Sequence, residues 1–265
     1  MATTTEIEEA RDWQGELLNC AACEHGSGKS NARCQLGHAC VHDRYARRID
    51  RFFRWNPYLA KDYFEHPYFE TRAVAAKHAE LFYLPRLIDD PDETVRQSVA
   101  QRLPLHSRHF RGLLGDPHRE VRVRVAERAE PKDLVTLMDD PDYFVRQIVA
   151  RRLPCALLVR MVRDRDPQVR KVVAERVATE WLPTMAGDAD LAVRLAAVSR
   201  MSPGQLKLMI RDPDWRVRYE VASRLDPTEL EPLRADPDRE VRELVEQRLA
   251  DYWHRTELPK ACQQG

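Results

Sequence analysis

DPDETVRQSVAQRLP (residues 90–104) decides the fold, because the chain writes it again. DPDYFVRQIVARRLP spans 140–154, and DPDWRVRYEVASRLD spans 212–226. The dipeptide Val-Arg sets the register. Its arginine recurs at Arg72, Arg96, Arg122, Arg146, Arg170, Arg194, Arg218 and Arg242, in steps of 24 residues except one of 26 after Arg96. Thr71 replaces the valine in the first copy. A fixed period of this size is the signature of a repeat architecture.

The first half of each repeat reads as a helix. Asp-Pro, as in Asp90-Pro91 and Asp212-Pro213, places Asp at the N-cap and Pro at the first helical position. Valine recurs four residues after the Val of Val-Arg, at Val99, Val125, Val149, Val173, Val221 and Val245, and alanine usually follows it. That spacing gives one apolar helix face, not the alternation of a strand. The second half carries Leu84/Leu87, Leu134/Leu137, Leu158/Met161, Leu182/Met185, Leu206/Met209 and Leu230/Leu233, a spacing of three that suits a turn or two of 3₁₀-like helix. Nothing reads as a β-sheet. A three-turn helix cannot bury its apolar face alone, so stacked copies must do it. The expected fold is all-α: a solenoid of about eight repeats.

The repeat arginines sit inside the apolar arc of the helix, so their guanidinium groups need acceptors in a neighbouring repeat, an Asp or carbonyls. A second arginine recurs seven residues after the valine, at Arg102, Arg128, Arg152, Arg176, Arg200, Arg224 and Arg248. A structural role is expected for both sets. An anion-binding track is the competing reading, but Lys+Arg and Asp+Glu balance at 43 each, without the net basicity of a nucleic-acid solenoid. Some copies depart from the pattern. Repeat one begins His66-Pro67, repeat six has Asp188-Ala189, and repeat five reads as a shortened Asp166-Pro167-Gln168-Val169-Arg170.

Ahead of the repeats lies CAACEHGSGKSNARCQLGHAC (20–40), with Cys20, Cys23, Cys34 and Cys40. The N-terminus lacks an apolar leader and no run is long enough to span a membrane, so a cytoplasmic protein is expected, where clustered cysteines bind metal more often than they pair. The C-x2-C-x10-C-x5-C spacing leaves zinc and an iron–sulfur centre open. His25, His38 and His42 flank the thiols. Lys29, Arg33 and Arg44 offset thiolate charge, and Gly26, Gly28 and Gly37 supply turns. Cys155 and Cys262 are isolated. DRYARRIDRFFRW (43–55) reads as an amphipathic helix whose Ile49, Phe52, Phe53 and Trp55 pack on repeat one while its arginines face outward. At the far end Glu246 replaces the usual alanine, as suits an end helix facing water.

The pattern DPDxxVRxxVAxRL with its paired leucines resembles the leucine-rich-repeat variant (LRV) family over about seventy per cent of the chain. That resemblance implies an α-helix and a 3₁₀ helix per repeat in a right-handed superhelix. With the cysteine segment it points to a family member of a nitrogen-fixing bacterium that carries an N-terminal iron–sulfur module. It thereby implies a [4Fe–4S] cluster on Cys20, Cys23, Cys34 and Cys40, with Zn as the alternative from spacing. The expected organisation is a Cys-rich module and cap over 1–60, repeats over 61–250, and a C-terminal cap and tail over 251–265.

No phosphate-binding glycine loop, HExxH or nucleophile–base pair stands out, so a non-enzymatic protein is expected. The leading reading is a protein-interaction scaffold whose cluster is structural or redox-responsive. Electron transfer or redox and iron sensing is the alternative, and a zinc-stapled nucleic-acid binder using helix 44–54 the weaker one. The partner is expected to be a protein, with no membrane or nucleic acid, and the chain a monomer. Tyr68, Phe69, Tyr143, Phe144 and Trp215 are candidate contact residues.

Overall fold

The computed structural model describes residues 10–26 and 30–257, with side chains to residue 254. Gly28, Lys29 and Cys262 lie outside the described residues. The chain divides into two compact units, Met1–Leu137 and Met138–Gly265.

Each repeat contributes one longer helix. In the first unit α1 (Ala46–Trp55) lies ahead of the repeats, and the repeat helices are α2 (Phe69–His78), α3 (Glu93–Ala100) and α4 (Arg119–Ala126). In the second they are α5 (Tyr143–Arg152), α6 (Pro167–Ala174), α7 (Leu191–Val198), α8 (Trp215–Arg224) and α9 (Arg239–Glu257). From α2 onward the starts follow the period of the Val-Arg register, including the single longer step before α4. Between them run 3₁₀ or single-turn helical segments, such as Leu81–Leu87, Cys155–Met161 and Thr179–Met185. The longer step holds a helical turn at Arg108–Gly112. Among the described residues there is no sheet, only isolated antiparallel bridges at Arg11–Leu17 and Gln35–Ala39.

Within each unit successive helices pack side by side. The valines at the inward positions, Val99, Val125, Val149, Val173, Val221 and Val245, are fully buried, and both members of every predicted Leu/Leu or Leu/Met pair are almost so. α1 extends the array backwards. Its Ile49, Phe52 and Phe53 are fully buried, it packs on α2, and the 3₁₀ segment Pro57–Tyr63 follows it as Leu81–Leu87 follows α2. Its arginines do not all face outward: Arg47 and Arg54 are exposed, whereas Arg48 turns back to the fully buried Asp43 at 2.9 Å.

The DPD motif works differently from its sequence reading. The N-cap is its second aspartate: Asp92, Asp142 and Asp214 each accept the backbone N–H two residues on. The first aspartate accepts the N–H of the second, as Asp90 does from Asp92 at 2.9 Å, and receives the arginine fork of the preceding repeat. Arg72 grips Asp90 through Nε and Nη2, and Arg96 grips Asp116. In the second unit Arg146 grips Asp164, Arg170 grips Asp188, Arg194 grips Asp212 and Arg218 grips Asp236. The third nitrogen, Nη1, donates to carbonyls of the arginine's own repeat, in Arg96 to Asp90 and Pro91. Repeat five is therefore not shortened. Asp164 takes the first aspartate's task, Arg165 stands where proline would, and Asp166 is the cap. In repeat one the His66 ring Nδ1 takes over, accepting the Tyr68 N–H.

The second arginine set reaches backwards. Arg102 donates to the Ala76 and Ala79 carbonyls, Arg176 to Ala150, Arg200 to Ala174, Arg224 to Val198 and Met201, and Arg248 to Ala222 and Leu225. These are the open carbonyls at the end of the preceding helix. So within each unit neighbouring repeats are tied forward by one arginine and backward by the other.

The forward ties give the protein an acid limit. The Arg218 fork holds the Asp236 carboxyl below its ordinary value, so the ion pair stabilises the fold fully above the unfolded-state pKa near 4 and is lost as pH falls through the folded one. Urea midpoints of the full chain should be flat from about pH 7 to 5 and fall below about pH 4. A midpoint that holds through about pH 3 would contradict this.

Candidate metal centre

The cysteine segment contains almost no regular structure and is shaped by side chain–backbone bonds. The Asn19 side chain accepts the N–H groups of Ala21 and Ala22, and the Asn19 carbonyl those of Ala22 and Cys23. This winds a turn between Cys20 and Cys23. The next turn closes with Gly26 N–H on the Cys23 carbonyl at 3.1 Å. A Cβ at Gly26 would collide with the Cys20 carbonyl, so only glycine fits. The second loop is pinched by paired Gln35–Ala39 backbone bonds and passes through Gly37 at φ +68°. The Cys40 N–H donates to the Arg48 carbonyl.

Four residues, Asn56, Tyr63, Tyr68 and Thr71, moor these loops. Asn56, 1% exposed, accepts the Arg33 N–H and donates to the Arg33 and Phe52 carbonyls, all at 2.8 Å. Thr71 donates to the Val41 carbonyl and Tyr68 to that of Arg44. The Tyr63 hydroxyl donates to Glu24 at 2.7 Å and lies 2.5 Å from His25 Nε2, while His25 Nδ1 is 3.0 Å from Ser30 Oγ. This order of donors assigns the His25 proton to Nε2. Burial and the Glu24 carboxylate push the Tyr63 phenol up, which keeps it a donor.

Cys20, Cys23, Cys34 and Cys40 line one small cavity, walled by Gly26, Leu36, Ala39, Val41, Phe52 and the His25 and His42 rings. Cys20 and Cys34 are exposed, Cys23 and Cys40 half-buried, and none is in a disulfide. No three of them, with or without a neighbouring His, Asp or Glu, already form a single-ion site among the described residues. The Cys23 sulfur accepts the His25 N–H at 3.4 Å. Burial pushes the Cys40 thiol up to about 11, against the lowering effect of the His42 N–H and with further help from Asp43, Cys23 and Cys20. Burial and the other two thiols also push Cys34 up.

The donor set therefore fits a cationic centre. Four soft sulfur donors converge without a carboxylate, an amide N–H reaches one sulfur, and ionised thiols would repel one another here unless positive charge stood between them. Cluster or metal binding must then release thiol protons. Gly26→Ala should abolish this geometry by displacing the Cys20 carbonyl. The expected result is loss of most metal bound at the thiols with the helical far-UV signal of the repeats unchanged; full metal content would contradict the role given to Gly26.

Other predicted residues are placed as follows. His38 packs beside Trp55 and meets Arg51. Tyr68 is used internally, stacked on Trp13 at 6.0 Å and edge-on to Phe69. Tyr143 and Trp215 open α5 and α8 and are 44% and 41% exposed, whereas Phe144 is half-buried. The sequence reading missed Asn56, Tyr63 and Glu24. None belongs to a metal motif, and only the Asn-Pro at 56–57 hinted that the chain turns there.

A family profile described as the LRV protein FeS4 cluster matches residues 10–62. An uncharacterised 27.7 kDa protein from the nifB 3′ region of Rhodobacter capsulatus is 48% identical over 99 residues, 37% of this chain. That match spans 40% of the relative's own length. A solved structure titled as a leucine-rich repeat variant with a novel repetitive structural motif superposes with a TM-score of 0.80 at 40% identity, covering 87% of this chain and 98% of that one.

Proposed function

Since the chain belongs to the leucine-rich repeat variant family, we propose that it is a non-enzymatic, cytoplasmic, monomeric scaffold holding a [4Fe–4S] cluster on Cys20, Cys23, Cys34 and Cys40. The observation that carries this reading is the single cavity lined by all four thiols. A bound cluster of this kind takes up and gives out single electrons. Around it the chain's own residues act as supports. His25 N–H and His42 N–H donate to the Cys23 and Cys40 sulfurs, Phe52 and Val41 keep water from the buried side, and Asn56 fixes the backbone beside Cys34. The same loops bond to Tyr63, Tyr68 and Thr71, so a change at the thiols is felt in the first repeats. A redox-responsive scaffold for a protein partner is the function that this coupling supports.

Electron transfer is the second reading, favoured by the exposure of Cys20 and Cys34, which leaves one edge of the centre at the surface. No helix among the described residues is long and apolar enough to cross a membrane. The test is anaerobic purification of the full chain. About four irons and four acid-labile sulfides per chain, with a paramagnetic signal on reduction, are expected. A colourless protein with one zinc would remove the proposal.

A further inference from the structure

We infer that the face around Cys34 is a docking surface for a small acidic electron-carrier protein. The inference rests on the reading of the thiols as cluster ligands and names the partner that the exposed edge suits.

Cys34 is exposed, and Leu36 beside it is 51% exposed. A continuous rim runs from there onto α1. The Arg33 guanidinium lies 5.4 Å over the Trp55 ring, Trp55 lies 5.8 Å from the His38 ring, and Arg51 Nη1 reaches the His38 ring nitrogen and carbonyl at 3.2 and 3.3 Å. Asn56 grips the Arg33 backbone from both sides, so the rim is held in place before any partner arrives. Preorganisation of this kind lowers the entropy lost on docking.

The charge is one-sided. Arg33, Arg44, Arg47, Arg48, Arg51 and Arg54 fall between residues 33 and 55, against Asp43 and Asp50 alone, in a chain that is neutral overall. Asp43 is buried against Arg48, and Asp50 is engaged by Arg54 and His78. With Asp43 and Asp50 both engaged, the charged groups of the rim itself are Arg33 and Arg51, and a cationic rim steers and orients an acidic partner. An exposed leucine and an aromatic ring inside a cationic rim, directly beside a sulfur ligand, suit a protein that must bring its own redox centre close. In the transfer one electron moves: the cluster is oxidised and the carrier reduced, or the converse, and no bond forms or breaks.

The test uses the anaerobically purified full chain and an acidic plant-type ferredoxin as probe, with basic cytochrome c and duplex DNA for comparison. Binding is measured by interferometry at low and high salt, alongside the iron and sulfide content of each sample. Arg33→Glu and Leu36→Glu are each expected to weaken ferredoxin binding by about tenfold or more, and salt to weaken wild-type binding. Arg216→Glu, on α8, should change nothing. Equal ferredoxin affinity in wild type, Arg33→Glu and Leu36→Glu, or preference for cytochrome c or DNA, overturns the inference. Iron present without ferredoxin binding overturns the docking alone; iron absent overturns the cluster reading first.

Discussion

Arg218→Met should destabilise the protein by about 3–5 kcal/mol, the range for breaking a buried ion pair from one side. The side chains of Arg218 and Asp236 are 10% and 2% exposed. Two nitrogens of the arginine meet the two Asp236 oxygens at 2.7 and 2.8 Å, and the third donates to the Asp212 and Pro213 carbonyls. Removing it leaves a carboxylate and two carbonyls without their donor in a place water barely reaches. Asp236→Ala should cost as much, because it also frees the Asp238 N–H. Arg218→Met combined with Asp236→Leu should recover a large part of the loss, since both charges then go together. Urea denaturation of the full chain reads all three variants. A single-variant effect below about 1 kcal/mol would place this pair with exposed ion pairs and remove the ladder from the account of stability.

On the proposed ligation, Cys23→Ser and Cys40→Ser should each reduce bound iron to about a tenth or less, because an incomplete set of thiolates would not hold the centre, whose binding energy would be folding energy for the loops that carry it. Residues 10–42 have little else. Among the described residues their regular structure amounts to two isolated bridges, and Ala39 and Val41 are the fully buried apolar residues. In hydrogen exchange the amides of residues 19–26 and 33–40 should lose protection while those of α3 and of α5–α8 keep theirs. Cys155→Ser, at an exposed thiol on a 3₁₀ segment, is the contrast and should keep full iron. Unchanged protection of the cysteine loops after iron is lost would show that side chain–backbone bonds alone hold them.

The repeats were legible because one short pattern is written eight times. Helix positions, the inward valines and the Leu/Met pairs follow from spacing, as each is a local preference multiplied by repetition. The aspartate roles were misassigned for a physical reason. Either Asp of Asp-Pro-Asp can cap a helix, and only the neighbouring repeat, by presenting an arginine fork to the first, leaves the second to do so. The apparent shortening of repeat five had the same origin. Arg165 hides the motif from a search for Asp-Pro, although Asp164 and Asp166 keep both tasks.

At the cysteine segment the thiols that line the one cavity were visible in the sequence as a cluster of four in an otherwise cysteine-poor chain. Their supports were not. Asn56 and Tyr63 lie far along the chain from Arg33 and His25, and meet them only because α1 and its 3₁₀ segment fold back beside the loops. The chain's letters alone carry periodicity, caps and donor type, which are properties of neighbours in sequence. Which acceptor satisfies each buried arginine, which residues hold the loops, and which edge of the thiol cavity faces solvent are pairings across space. These wait on packing, because a guanidinium or an amide is satisfied by whatever acceptor the fold brings within hydrogen-bonding reach.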